Sequence, residues 1–285
     1  SITSAEAKGV LTKPNQLHIC YLLTPTRYLW SHYTEYIENQ ITGLFRRGIF
    51  QYLRWWDKAA ALRPDYIIPI SHHVAQRCKT YYSRETEPVI YPPVTLPFFD
   101  CKKATSESFY LIVSRLVHYK KIDLTMAACI QLKRKLVIIG NGPDLKRLKA
   151  IAQASSEPSL ITFLGAVQSE QVEAYYTNCS AFLSPAEEDF GITILEALSA
   201  GKPVIIYEQS GGAEVVEENK TGIFLKEQTV SSLATAIEKS ENISWDSEYI
   251  QKSVRKYSVH EFQKNIQKAL EDLKKRYEEK GLHEQ

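Results

Sequence analysis

SPAEEDFGITILEALSAGKPVII, residues 184–206, contains the end of a strand, a loop, a helix and the start of the next strand. Pro185 stops the preceding apolar run, and Gly191 allows the backbone to turn tightly into the helix. The helix ends before Pro203, which leads into the apolar run Val204-Ile205-Ile206. This order predicts a parallel α/β sheet, in which ligands bind outside the carboxyl ends of the strands.

Two carboxylates, Glu188 and Glu196, lie on either side of the amino end of this helix. Like charges repel, so the pair suits neutral hydroxyl groups, whereas the first amides of the helix suit an anion. A nucleotide sugar offers both, because its phosphates join two polyols. For a single glutamate, a helix cap or a solvated surface residue is the commoner explanation. The full pattern favours a binding site.

The segment from Glu188 to Glu196 resembles the signature of the family 4 retaining glycosyltransferases, which have the GT-B fold. That signature has two glutamates separated by seven residues, with Phe-Gly after the first. The resemblance implies that Glu188 contacts the donor sugar and that Glu196 contacts the ribose. It assigns the intervening main chain to the diphosphate, namely the amides of Phe190, Gly191, Ile192 and Thr193.

A second segment, VSRLVHYKK at residues 113–121, follows a predicted strand. Arg115 and Lys120 would lie together at the carboxyl end of that strand, where two cations can hold a diphosphate. Alone, they are equally consistent with two surface bases. The segment resembles the family's Gly/Ser-Arg-Leu loop, which has a lysine five residues after the arginine and contacts the diphosphate. Lys121 remains an alternative to Lys120.

Two further turns resemble donor-site loops of the same family. Gly140, Asn141 and Gly142 form a turn that opens a helix, and glycines there allow a close approach of backbone to a ligand. Ala166 and Val167 resemble the loop that lines the nucleotide base. Recognition in that loop is largely by main chain, so GDP and UDP both remain open as the nucleotide.

Strands and helices alternate regularly through the second half of the chain, which predicts a doubly wound parallel sheet. The predicted strands are near 109–113, 135–139, 160–164, 180–183, 203–206 and 222–225. The predicted helices are near 121–131, 143–153, 168–176, 192–200, 212–217 and 229–240, with two more near 246–256 and 259–280.

The resemblance implies a GT-B type α/β protein with two domains, and the alternation agrees with it. Residues 107–255 would form the donor-binding domain, and residues 1–100 a shortened, Rossmann-like acceptor-side domain onto which the helix at 256–285 packs. In the first domain we predict a loop at 1–16, strands at 17–23 and 66–70, helices at 27–39 and 44–62, and a helix capped by Ser71.

The first domain departs from the family in two places. Leu23 stands immediately before Thr-Pro, where members usually carry a histidine near the reacting sugar. The sequence also begins without the strand and glycine-rich loop that members have earlier in the chain. Both departures favour a non-catalytic nucleotide-sugar binder, or a subunit that a partner chain completes, as the alternative to an active enzyme.

Composition excludes several other classes. The net charge of +2 does not favour nucleic acid, and the five scattered cysteines have no metal-type spacing and indicate reduced thiols in a cytosolic protein. No Gly-x-Gly-x-x-Gly follows a strand, which argues against a dehydrogenase. We expect no cofactor and no metal, because arginine, lysine and helix amides can neutralise a leaving diphosphate.

The segment TPTRYLW, residues 24–30, resembles a subgroup of the family often assigned to mannosyl transfer. The resemblance implies retaining transfer of a hexose, with mannose preferred, to a glycan or lipid-linked acceptor in surface polysaccharide synthesis. The donor would be GDP-mannose or a UDP-hexose. An epimerase on the same fold is a further alternative, although no acid/base pair is evident. Arginines mixed with Phe, Ile and Trp between Leu44 and Trp56 suggest peripheral contact with the inner membrane face; the alternative is a helix packed on its own domain.

Overall fold

The protein is described by a computed structural model that covers residues 1–31, 43–95 and 108–283, without the side chains of 43–46 and 280–283. Its chain divides into two compact units. The first comprises Ser1–Pro92 and His260–Gln285, and the second comprises Pro93–Val259. The proline-rich segment between the two halves lies largely outside the described residues, as does Cys101.

The first unit has a three-stranded parallel sheet of β1 (Ile2–Thr3), β2 (Ile19–Leu22) and β3 (Tyr66–Pro69), in that order. Two helices follow strands β2 and β3 along the chain, α1 (Gly43–Ala61) and α2 (His72–Tyr82). The predicted strands and the helix at 44–62 are confirmed. Ser71 also caps α2 as predicted, because its hydroxyl accepts a hydrogen bond from the amide of Val74 at 3.0 Å.

The predicted loop is confirmed at residues 13–15, where the chain turns, but it does not extend over all of residues 1–16. Strand β1 pairs with Tyr21 and Leu22, and a short 3₁₀ helix, Glu6–Gly9, follows it. A two-residue strand is too short to show an alternating pattern, so the sequence gives no signal for it. The helix predicted at 27–39 is also wrong at its start, because residues 27–31 form a turn. Its remainder lies outside the described residues.

The second unit has a six-stranded sheet in which every pairing is parallel. The strand order is β6-β5-β4-β7-β8-β9. The strands are β4 (Tyr110–Val113), β5 (Leu136–Ile139), β6 (Ile161–Gly165), β7 (Ala181–Ser184), β8 (Val204–Tyr207) and β9 (Gly222–Leu225). This is the predicted doubly wound sheet, with all six strands where the sequence placed them to within a residue.

The helices of this unit are α3 (Ile122–Gln131), α4 (Leu145–Ala154), α5 (Ser169–Asn178), α6 (Ile192–Ser199), α7 (Val230–Glu241) and α8 (Ser247–Ser253). Two predicted helices differ: 212–217 is a 3₁₀ turn at Gly211–Val215, and 246–256 breaks into α8 and a 3₁₀ turn at Arg255–Tyr257. The last helix, α9 (Val259–His283), lies almost entirely in the first unit. Within that unit, Phe262 of α9 packs edge-on against Tyr21, with ring centroids 5.9 Å apart.

The strand order places a topological switch point between β4 and β7. The chain runs outward from β4 through β5 to β6, and it returns to β7 before running outward through β8 to β9. Helices that follow β4 and β7 therefore leave the sheet in opposite directions, which opens a crevice at the carboxyl ends of the strands. The loops after β4 and β7 border this crevice.

Candidate functional site

The loop after β4 carries the two predicted cations. Lys120 ends a 3₁₀ turn, His118–Lys120, and Lys121 adopts a left-handed conformation (φ 54°) as α3 begins. The Arg115 side chain is exposed and has no hydrogen bond or ion pair within the described parts of the chain. It is therefore available to an anion from solvent.

The Gly140–Gly142 turn packs directly against this loop. The amide of Leu116 donates to the carbonyl of Asn141 at 3.0 Å. A Cβ on Gly140 would lie 1.9 Å from the carbonyl oxygen of Ser114, and one on Gly142 would lie 2.2 Å from that of Leu116. Both glycines are thus required by the close approach of protein backbone, whereas the sequence suggested the approach of a ligand.

The loop after β7 is held by the turn that follows β8. The amide of Glu188 donates to the Ser210 hydroxyl at 3.1 Å, and the amide of Gly211 donates to the Glu188 carbonyl at 2.7 Å. Gly191, with φ 89°, then starts α6. Because the amide and the carbonyl of Glu188 are both hydrogen-bonded, only its side chain can rotate.

Glu188 and Lys120 meet across the switch point. The Lys120 Nζ lies 2.6 Å from Glu188 Oε1, and the two side chains are only 13% and 16% exposed. The sequence placed both residues in one site on separate motifs, and the structure brings them into contact. This ion pair connects the β4 loop to the β7 loop at the position where an open α/β sheet binds its ligand.

Glu196, one turn into α6, has a partner that the sequence did not reveal. The hydroxyl of Tyr176, on α5, donates to Glu196 Oε2 at 2.7 Å, and the tyrosine is 2% exposed. Burial, together with the charge of Glu196, raises the pKa of Tyr176 well above its ordinary value, so the hydroxyl keeps its proton. In sequence, Tyr176 is one apolar-face residue of a helix, which predicts only a core position.

The remaining predicted residues divide into two groups. The Phe190 ring is buried, so only the main chain of this residue is available to a ligand. Ile192 and Thr193 begin α6; the Ile192 side chain is 47% exposed and the Thr193 side chain is half-buried. Ala166 and Val167 follow β6 at the edge of the sheet, two strands away from β4. No recorded contact joins these two residues to the glutamates within the described residues.

The first unit contains a buried polar network that sequence reasoning also missed. Lys8 is fully buried, and its Nζ lies 2.6 Å from Asp57 Oδ1. Asp57 also accepts hydrogen bonds from Thr26, Trp30 and Tyr82, each at 2.8 Å. The network fixes the loop after β2, which begins at the half-buried Leu23.

The described residues contain neither a metal-binding cluster nor a membrane-spanning helix. No group of three or more His, Cys, Asp and Glu side chains among them is arranged to hold a metal ion. Within the same ranges, every helix is too short or too polar to cross a membrane. Four cysteines, Cys20, Cys78, Cys129 and Cys179, are buried and form no disulfide among the described residues.

The chain is similar to proteins of known family. A family model described as "Glycosyl transferases group 1" matches residues 98–257. A GDP-mannose-dependent alpha-(1-6)-phosphatidylinositol monomannoside mannosyltransferase of Mycobacterium tuberculosis is 33% identical over 138 residues, which cover 44% of this chain and 36% of that protein. An alpha-monoglucosyldiacylglycerol synthase of Acholeplasma laidlawii is 25% identical over 248 residues, or 83% and 61% of the two chains.

Among solved structures, the apo form of the lipopolysaccharide outer core galactosyltransferase WaaB superimposes with a TM-score of 0.67. The identity is 16%, and the match covers 90% of this chain and 75% of that one. This likeness shows the fold, an α/β architecture of the GT-B type. The chain spans about a third to three fifths of the two relatives named above.

Proposed function

The chain belongs to the glycosyl transferases group 1 family, and we propose that it transfers a hexose from a nucleotide diphosphate sugar with retention of anomeric configuration. The observation that carries this proposal is the Lys120–Glu188 pair at 2.6 Å across the switch point of the second unit. A cation and a carboxylate there match the two halves of such a donor, because one binds phosphate and the other binds hydroxyl groups.

Each site residue has a distinct role in the proposed reaction. Arg115 and Lys120 bind the diphosphate and stabilise the negative charge that grows on it as the anomeric C–O bond breaks. The first amides of α6 add their partial positive charge. Glu188 accepts a hydrogen bond from a hydroxyl of the sugar, and Glu196, held by Tyr176, accepts from the ribose. Main chain near Ala166 and Val167 contacts the base.

Mannose from GDP-mannose is the preferred donor in this proposal, and a UDP-hexose is the second. The support for mannose is the name of the Mycobacterium tuberculosis relative, which is GDP-mannose-dependent. That relative and the Acholeplasma laidlawii synthase are named for lipid products or acceptors, and the solved galactosyltransferase is named for lipopolysaccharide. A lipid-linked or glycan acceptor in surface polysaccharide synthesis agrees with all three names.

A donor-consumption assay tests the proposal. The purified chain is incubated with GDP-mannose, UDP-glucose, UDP-galactose and UDP-N-acetylglucosamine, and release of nucleoside diphosphate is followed with and without lipid extract. We expect one donor to be consumed, with sugar retained in the lipid fraction. A folded protein that binds and consumes none of the four would contradict the proposal. Arg115→Ala provides the control for contaminating hydrolases.

The alternative is a nucleotide-sugar binder that needs a partner chain for transfer. Leu23 favours it, because a hydrocarbon side chain cannot hydrogen-bond a sugar where the family carries histidine. In that case the donor binds without transfer by the chain alone, and Leu23→His does not restore the full rate. Turnover of about 1 per second or faster, which is ordinary for enzymes, would exclude this alternative.

We also propose that α1 binds the cytoplasmic face of the inner membrane peripherally. Its apolar residues are not all packed inward: Ile49, Tyr52 and Trp55 are 44%, 61% and 66% exposed, at three-residue spacing along one side. The exposed basic residues Arg47 and Lys58 lie on the same helix. Aromatic and basic side chains on one exposed surface suit an anionic bilayer.

Flotation with liposomes tests the membrane proposal. Liposomes containing an anionic phospholipid should carry the wild-type chain upward at low salt, and neutral liposomes should carry less. The triple variant Ile49→Ser, Tyr52→Ser, Trp55→Ser should remain at the bottom. Leu270→Ser is the matched control, because Leu270 is an exposed apolar residue (42%) on another helix, α9. Equal flotation of the triple variant and the control would refute the role of α1.

A further inference from the structure

We propose that Glu188 is an internal competitor of the donor's diphosphate, so that the diphosphate must displace the Glu188 carboxylate from Lys120 before that carboxylate can bind the sugar. The proposal rests on the proposed donor site and adds to it the order of events within the site. It concerns a charged contact that joins the two loops of the crevice, Lys120 Nζ to Glu188 Oε1 at 2.6 Å.

The Glu188 carboxylate lies where an anion is expected. One of its oxygens contacts Lys120, and the other lies beside the start of α6, since a Cβ placed on Gly191 would be 3.7 Å from Glu188 Oε2. A lysine and the amino end of a helix are together the groups that bind a phosphate. The carboxylate therefore occupies the same kind of environment that a diphosphate requires.

The surrounding structure allows the side chain, but not the backbone, to move. The Glu188 amide and carbonyl are both held by the Ser210–Gly211 turn. A Cβ on Gly211 would lie 2.1 Å from the carbonyl oxygen of Asp189, so the turn and the loop are in direct contact. Displacement of Glu188 from Lys120 thus requires only rotation of its side chain about its own bonds, which leaves the loop in place.

This exchange has a consequence for specificity. While Glu188 is paired with Lys120, the lysine compensates the charge of the carboxylate and occupies one of its oxygens, which makes it a poor acceptor for a sugar hydroxyl. A diphosphate that takes Lys120 releases the carboxylate close to the sugar that the same diphosphate carries. A free sugar offers no group to exchange for Lys120. The site would therefore bind the sugar only as part of a nucleotide diphosphate sugar.

Calorimetry with GDP and UDP, which carry no sugar, tests the competition. Glu188→Gln removes the competing charge, so we expect it to bind the preferred nucleotide diphosphate roughly three- to tenfold more tightly than the wild type does, as expected for a partly exposed ion pair. The same variant should consume nucleotide sugar more slowly. Unchanged or weaker diphosphate binding by Glu188→Gln would overturn the proposal.

If Glu188 merely repelled the diphosphate, Glu188→Gln would also bind it more tightly. The same substitution in a variant without Lys120 separates the two explanations. In Lys120→Met, competition for the lysine no longer exists, so adding Glu188→Gln should give no further gain. A gain that persists without Lys120 would show repulsion alone and overturn the proposal. If the folded wild type binds neither GDP nor UDP, the proposed function fails instead, and melting curves establish that each variant is folded.

Discussion

At the scale of single residues, Tyr176 fixes the carboxylate of Glu196, for which we propose a role in binding the ribose. The glutamate is bound to a buried hydroxyl through one oxygen, Oε2, at 2.7 Å. A buried tyrosine of raised pKa keeps its proton at neutral pH and therefore continues to donate to the carboxylate. The orientation of Glu196 is then set by the core of the second unit and does not depend on solvent.

We predict that Glu196→Ala weakens binding of the nucleoside diphosphate by about 1–3 kcal/mol, the scale of a lost hydrogen bond to a charged group. Tyr176→Phe should act in the same direction but less, because it loosens the carboxylate without removing it. Calorimetry with GDP and 2′-deoxy-GDP, or with UDP and 2′-deoxy-UDP, separates a lost contact with the ribose from a general loss of structure. If both variants discriminate against the deoxynucleotide as strongly as the wild type, Glu196 does not bind the ribose.

The sequence predicts site roles for Glu188, Glu196, Arg115 and Lys120 because each lies in a motif with fixed spacing. It does not identify Tyr176 or Lys8, since their partners, Glu196 and Asp57, are 20 and 49 residues away. Hydrogen bonds at such separation depend on helix packing, which periodicity does not encode. A lysine near the start of the chain is predicted to be solvated, whereas Lys8 is fully buried.

At the scale of elements, the β5–α4 turn of the second unit is shaped by backbone contact. Gly140 has φ 132°, and a Cβ there would meet the Ser114 carbonyl oxygen at 1.9 Å. Any side chain would push the β5–α4 turn away from the loop that carries Arg115. The shape of the crevice beside this turn therefore depends on glycine at position 140.

We predict that Gly140→Ala destabilises the protein by about 2 kcal/mol or more, because the residue combines a positive φ with a direct clash. Gly48→Ala is the matched control: Gly48 lies within α1 and has no atom within 4 Å of the added methyl group, so it should be neutral or slightly stabilising. Chemical denaturation measures both. Equal stability of the two variants would show that the turn has room for a side chain.

The network around Asp57 connects the 3₁₀ helix Glu6–Gly9, the loop after β2, and helices α1 and α2. Breaking a buried ion pair leaves one charge without compensation, which costs more than removing both. We therefore predict that Asp57→Ala destabilises the first unit by about 3–5 kcal/mol. The double variant Lys8→Met, Asp57→Leu should recover part of that loss in the same denaturation experiment. No recovery would show that the uncompensated charge of Lys8 is not the main cause of the loss.

Regular elements are predicted well here for a physical reason. The inner strands of the second sheet are buried on both faces, so each appears as a short apolar run between a helix and a turn. Strand β1 and the turn at 27–31 escape prediction because neither has a repeating pattern. The strand order, and with it the contact between Lys120 and Glu188, follows from tertiary packing that a single sequence does not display.

At the scale of the whole molecule, the second unit carries the proposed donor site, at the switch point of its six parallel strands and beside the Lys120–Glu188 ion pair. The first unit supplies a smaller sheet with Leu23 at the end of β2, and an exposed aromatic surface on α1. The central claim is that the crevice between β4 and β7 binds the diphosphate of a nucleotide sugar. Membrane contact and acceptor identity are separate from it.

The most direct test of that claim compares charged and uncharged ligands on one variant. Calorimetric titrations of the wild type and Arg115→Ala are made with GDP and UDP and with guanosine and uridine. We predict that Arg115→Ala weakens diphosphate binding by about tenfold or more, roughly 1.4 kcal/mol, and leaves nucleoside binding unchanged. Equal losses for diphosphate and nucleoside, or no binding of either diphosphate by the folded wild type, would contradict it.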